Sequence, residues 1–156
     1  LHDALPISNR IILDQAKQQL GADAGDILIL NMATNMMEYS AIFGFDHLDV
    51  EEKRVHLSRS MAGQILLNRE PCVVSDISKH ELPFIMKHLQ RHSFHAYFGF
   101  PLIAKGEPKG VMEIYMQTPF QPDTEWLNFL QSLATQSSIA IDNIQLFEKM
   151  QSMQYF

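Results

Sequence analysis

Two alternating runs late in the chain, "FHAYFGFPLIA" and "KGVMEIYMQT", meet across a Gly-Glu-Pro turn and leave little freedom in the fold. Alternation of period two places successive side chains on opposite faces of a strand. The pattern therefore predicts a long hairpin with strands at 94–104 and 109–117 and its turn at "KGEP". Its faces differ chemically. Phe98, Phe100 and Leu102 pair with Met112, Ile114 and Met116 to make one wholly apolar face, which demands a covering layer. The other face carries Tyr97, Gly99, Pro101, Glu113 and Tyr115.

The remainder of the chain supplies partners for this hairpin. "NRIILDQAKQQLGAD" predicts an amphipathic helix capped by Asn9 and ended by Gly21, with Ile12, Ala16 and Gln19 or Leu20 on one face. "GDILILN" and "NMMEYSAIFGF" read as strands over 26–31 and 36–43, joined by a short loop. The polar stretch "FDHLDVEEKRVHLSRS" shows no period and is expected to be a connection. Ser60 then caps a helix that turns Ile65 and Leu66 inward and stops before Pro71. A short strand "CVVSD" and a second connecting helix within "KHELPFIMKHLQRHS" lead into the hairpin.

The last segment has Asp123 as its cap and no later proline or glycine, which predicts a helix over 123–150, roughly 40 Å long. Leu127, Leu130, Leu133 or Ala134, Ser137, Ile141 and Ile144 recur at steps of three and four, and Phe147 carries the apolar character onward.

Composition excludes several classes. The 156 residues, 46% hydrophobic and 19% charged, suit one globular domain. The net charge of -6 comes with no basic cluster, which argues against a nucleic-acid partner. No apolar run approaches the ~18 residues of a membrane span. The single cysteine, Cys72, permits no internal disulfide and no thiolate zinc site, and fits a cytoplasmic protein. No triad order, phosphate loop or spaced carboxylate pair suggests catalysis. His88 and His92 have metal-capable i, i+4 spacing with His95 nearby, yet no Asp, Glu or Cys is interleaved. No metal and no cofactor is expected.

The words "LGAD" with "ILILN", "SMAGQILLNREPCVVSDI", "GFPLIAKGEPKGVMEIY" and "FLQSLATQSSIAIDNIQLFE", in this order over about 9–148, resemble the GAF domain of bacterial signalling proteins. The resemblance implies an α+β fold: a six-stranded antiparallel sheet with the N- and C-terminal helices on one face and connecting helices and loops roofing a pocket on the other. It further implies a non-enzymatic sensor that binds an unknown small molecule, or simply dimerises, and passes a signal along its terminal helix. The final helix is most similar to those preceding HD-type cyclic-dinucleotide (cyclic di-GMP) phosphodiesterases or the histidine kinases of two-component systems.

On that basis the candidate pocket residues are Phe43, Asp76, Phe84, Phe94, Tyr97, Gly99, Glu113 and Tyr115, and the candidate homodimer and signalling helix residues are Ser137, Ile141, Ile144 and Phe147. Two readings of the hairpin floor stay open. Gly99 and Glu113 either receive a polar ligand, or Gly99 only makes room for Tyr115 or another aromatic and Glu113 is a solvated strand residue. The absence of the "NKFDE" pattern argues against cyclic-nucleotide binding, the context of Cys72 against a bilin, and its being the one cysteine against a GAF-type sulfoxide reductase.

The opening "LHDALPIS" joins neither a helix period nor a strand alternation, and Asp3 and Pro6 break any signal-peptide core. One back-translation of its first seven residues, CTA CAC GAC GCT CTT CCG ATC, resembles the end of a sequencing-library adapter. Residues 1–8 are accordingly expected to be a non-native leader, disordered or incidentally placed, 9–150 the sensor domain, and 151–156 a truncated continuation of the signalling helix.

Overall fold

The computed structural model describes residues 4–45, 54–79 and 93–154. Its elements are α1 (Ala4–Leu20), β1 (Ala24–Asn31), β2 (Met36–Phe43), β3 (Arg54–His56), α2 (Met61–Asn68), β4 (Cys72–Val74), a 3-10 turn (Ile77–Lys79), β5 (Ala96–Ala104), β6 (Glu107–Met116) and α3 (Thr124–Gln154). Six strands form one antiparallel sheet in the order β3-β2-β1-β6-β5-β4, so β1 and β6 lie at its centre. The second connecting helix expected within 80–92 lies outside the described residues, as do Phe84, His88 and His92.

The apolar face of the hairpin is covered as required. Phe98, Phe100, Leu102, Met112, Ile114 and Met116 pack with Ile12, Leu13, Ala16 and Leu20 of α1 and with Leu130, Leu133, Ala134 and Ile141 of α3. The opposite face forms a second core with α2: Leu28, Met37, Val111, Tyr97 and Tyr115 meet Met61, Ala62, Ile65 and Leu66. Ser60 caps α2 by accepting the Gly63 N–H at 2.9 Å, and Arg69 ends it in the left-handed conformation. Asp123 caps α3 through the Trp126 N–H at 2.7 Å.

Several details depart from the sequence reading. Helix α1 starts at Ala4 rather than Asn9, with Pro6 in its first turn, where a missing N–H is tolerated. Asn9 is no cap. It is fully buried, donating from Nδ2 to Ser40 Oγ at 2.9 Å while its Oδ1 accepts from Ser137 Oγ at 2.9 Å. Strand β3 arises in the stretch expected to be a connection; its three residues are too few for a period to show. The second hairpin is tighter than "KGEP" implied, because Lys105 (φ 53) and Gly106 (φ 77) alone make the turn and Ala104 already pairs with Glu107.

Two register shifts decide which way key side chains face. One, opposite Ile27 and Leu28, inserts Ser40 into β2, so Met37 and Tyr39 turn to the α2 face whereas Ala41 and Phe43 turn to the α1/α3 face. The other, at Leu102/Ile103, displaces Lys109 from the alternation of β6. Its ammonium instead reaches α3, 3.1 Å from Asp142 Oδ1 and 3.0 Å from Gln145 Oε1.

Candidate functional site

On the α2 face the centre of the sheet carries a buried polar layer. Asp26 of β1 and Glu113 of β6 are direct register partners, and both are almost wholly buried, at 1% and 4% exposure. Along the same row Glu113 pairs with Gly99 of β5, and Gly99 with Cys72 of β4. One row away lie Tyr115 and Tyr97, themselves register partners.

The phenols serve the carboxyls. Tyr97 donates its hydroxyl to Glu113 Oε2, and Tyr115 donates to Asp26 Oδ2 at 3.3 Å. Asp26 Oδ1 is buried without a hydrogen-bond partner. Burial first, then the neighbouring Glu113 carboxyl, holds the Asp26 carboxyl well above the ordinary carboxylate range, because a charge there is both desolvated and repelled. Burial and the same carboxyls push Tyr97 and Tyr115 well above the usual phenol value, so both remain donors. Among the described residues no salt bridge reaches Asp26 or Glu113.

Rings enclose this layer. Tyr115 meets Phe94 at 5.1 Å, Phe45 at 5.1 Å and Tyr97 at 5.3 Å between centroids. Gly99 is required by close packing: a Cβ there would lie 2.3 Å from Ile65 Cδ1 and 2.5 Å from the Tyr97 hydroxyl. The space it leaves is taken by α2 and Tyr97 rather than by Tyr115.

Of the pocket residues read from sequence, Phe94, Tyr97, Gly99, Glu113 and Tyr115 come together here. Phe43 does not. The Ser40 insertion places it on the α1/α3 face, where Lys17 Nζ lies 5.9 Å from its ring centre. Asp76 also stands apart: its Oδ1 accepts from Ser78 N at 3.0 Å and Ser78 Oγ at 2.7 Å, bonds that lower its pKa. It borders a separate groove of about 440 Å³ shared with Val73, Ser75, Lys79 and Phe120. Glu113 is no solvated strand residue. Asp26, which the sequence reading left as an ordinary strand position, is the site residue it missed; a lone acid in the apolar run "GDILILN" was the available signal.

The helix residues divide as well. Ser137 and Ile141 are fully buried within the protomer, Ser137 on Asn9 of α1 and Ile141 in the α1/α3 core, whereas Ile144 is half-buried and Phe147 is exposed. Among the described residues no group of three or more His, Cys, Asp or Glu is arranged to hold a metal ion, and no helix is long and apolar enough to cross a membrane.

A six-stranded antiparallel sheet with the terminal helices on one face and a connecting helix on the other defines a class of small α+β domains. The chain belongs to the GAF domain family, whose sequence profile matches residues 9–142. Solved structures agree in fold. The GAF domain of a phosphoenolpyruvate-protein phosphotransferase from Coxiella burnetii is 20% identical with a TM-score of 0.80, over 93% of this chain and 86% of that one. A domain of a putative two-component sensor histidine kinase from Sinorhizobium meliloti is 20% identical with a TM-score of 0.72, over 90% and 92%. The free methionine-R-sulfoxide reductase of Neisseria meningitidis, solved with its substrate, is 15% identical with a TM-score of 0.72, over 90% and 79%. No curated protein matches the chain.

Proposed function

We propose that the domain is the non-enzymatic sensor of a cytoplasmic signal-transduction protein, binding a small molecule on the α2 face and relaying its presence along α3 to an effector such as an HD-type cyclic-dinucleotide phosphodiesterase or a histidine kinase. The observation that carries this reading is the Asp26, Glu113, Tyr97 and Tyr115 layer. A sheet face needed only for packing would be apolar, as its reverse side is, since buried carboxyls cost stability unless paired with charge. Ligand occupancy would favour one packing of the helices over another, a population shift. Residues 9–150 would form the module.

Cys72 supports the non-enzymatic reading. Burial first, then Glu113, raises its thiol pKa, the opposite of what a reductase nucleophile needs. A thermal-shift screen against nucleotides and metabolites tests the ligand: a molecule that binds only the folded state raises Tm. Failure of a broad library to raise Tm would remove the ligand half of the reading.

The second reading, a ligand-free dimerisation scaffold, is favoured by α3 itself. None of residues 143–153 is buried, yet Ile139, Leu146, Met150 and Met153 are exposed and, with Asn143, step by four, three, four and three. That is a heptad seam with one asparagine in it, suited to a second copy in register. It lies on a different face from Ser137 and Ile141. Native mass spectrometry across micromolar concentrations separates a sensor that also pairs from a scaffold that only pairs.

A further inference from the structure

Asp26 and Glu113 face each other across adjacent strands, both more than nine-tenths buried, and among the described residues no cationic side chain forms a salt bridge with either. The two phenols nearby are already committed, one to each carboxyl. Asp26 Oδ1 remains unpartnered, and Cys72, the nearest other titratable group along the row, brings no positive charge. An anion would be repelled here. The tilted and edge-on rings of Phe45, Phe94, Tyr97 and Tyr115 add π-faces, which favour a cation once water is excluded.

We propose that the carboxyl pair binds the charged nitrogen of a small organic cation, an ammonium or guanidinium, whose N–H groups take up Asp26 Oδ1 beside the Glu113 carboxyl. This rests on the sensor reading above and narrows it to one ligand class. Without the ligand, the repulsion is relieved by a proton held on Asp26; the cation replaces that proton, which passes to the buffer.

The test uses the full chain with probes matched in length: putrescine and agmatine as cations, 1,4-butanediol as a neutral control and succinate as an anion. At a hundredfold excess over Kd a cation should raise Tm by about 5–10 °C. Titration calorimetry at pH 7 in two buffers of different ionisation enthalpy should show proton release on binding. Asp26→Asn and Glu113→Gln, isosteric and checked for folding by their own melting curves, should each weaken binding at least tenfold. A cation effect retained in both variants is general attraction to an acidic protein and overturns the proposal. So does a response to succinate or butanediol alone, or no response to either cation while the metabolite screen finds another binder; in those cases the sensor reading survives. Silence of both the screen and the probes overturns both.

Discussion

Gly99 and Asp26 show how single atoms determine this face of the sheet. A methyl on Gly99 would drive into Ile65 Cδ1 and the Tyr97 hydroxyl, so Gly99→Ala should loosen α2 and cost about 1–3 kcal/mol in urea unfolding. Asp26 gives an unusual pH signature. Its folded-state pKa is raised above 3.8, so the native state binds more protons than the unfolded chain between that value and the raised one. Its contribution is therefore fully present at acid pH and declines as pH rises through the raised value. Asp76 and Asp142 have lowered values, so their contributions are lost only as pH falls below about 3.8. Melting curves from pH 4 upward should thus show a decline that Asp26→Asn abolishes. The roles of Tyr97 and Glu113 were legible as a polar face opposite an apolar one. Asp26 was not, because its facing depends on which strand lies beside β1, and that is decided by tertiary pairing.

At the scale of elements, alternation located β2, β5 and β6 closely, and cap residues located the starts of α2 and α3. Alternation failed where a strand carries one residue too many. Strict period two groups Phe43 with Met37 and Tyr39, and the Ser40 insertion reverses it. The insertion has a structural purpose, since Ser40 meets the buried Asn9 that also binds Ser137, tying β2, α1 and α3 through one amide. Asn9→Ala leaves the buried Ser137 hydroxyl and the half-buried Ser40 hydroxyl short of a partner and should cost about 1–3 kcal/mol, measured by chemical denaturation. The shift in β6 plays a comparable part by bringing Lys109, 8% exposed, onto Asp142 where α3 leaves the sheet.

For the whole molecule, the helix of 31 residues, about 46 Å long, outruns the sheet it covers. Its apolar side chains past Asp142, Leu146, Phe147, Met150 and Met153, are exposed and take no part in the core. If it pairs with a second copy, Leu146→Glu with Met150→Glu should leave Tm of the domain within a few degrees while shifting sedimentation toward the monomer. The helices that cover the sheet were legible from their periods; which helical face pairs outward was not, because the inward and outward stripes of α3 differ by less than a turn and only packing against α1 separates them.

On the proposed sensor reading the two faces of the sheet serve different ends, one stability and the other a ligand. Equilibrium urea unfolding at pH 7 of the double variant Asp26→Asn, Glu113→Gln, compared with the unsubstituted chain in the absence of added ligand, tests it most directly. Removing a buried like-charge pair held for binding should raise stability, by about 1–3 kcal/mol. A loss of similar size would mean that the carboxyl pair holds the fold together, and would contradict the account.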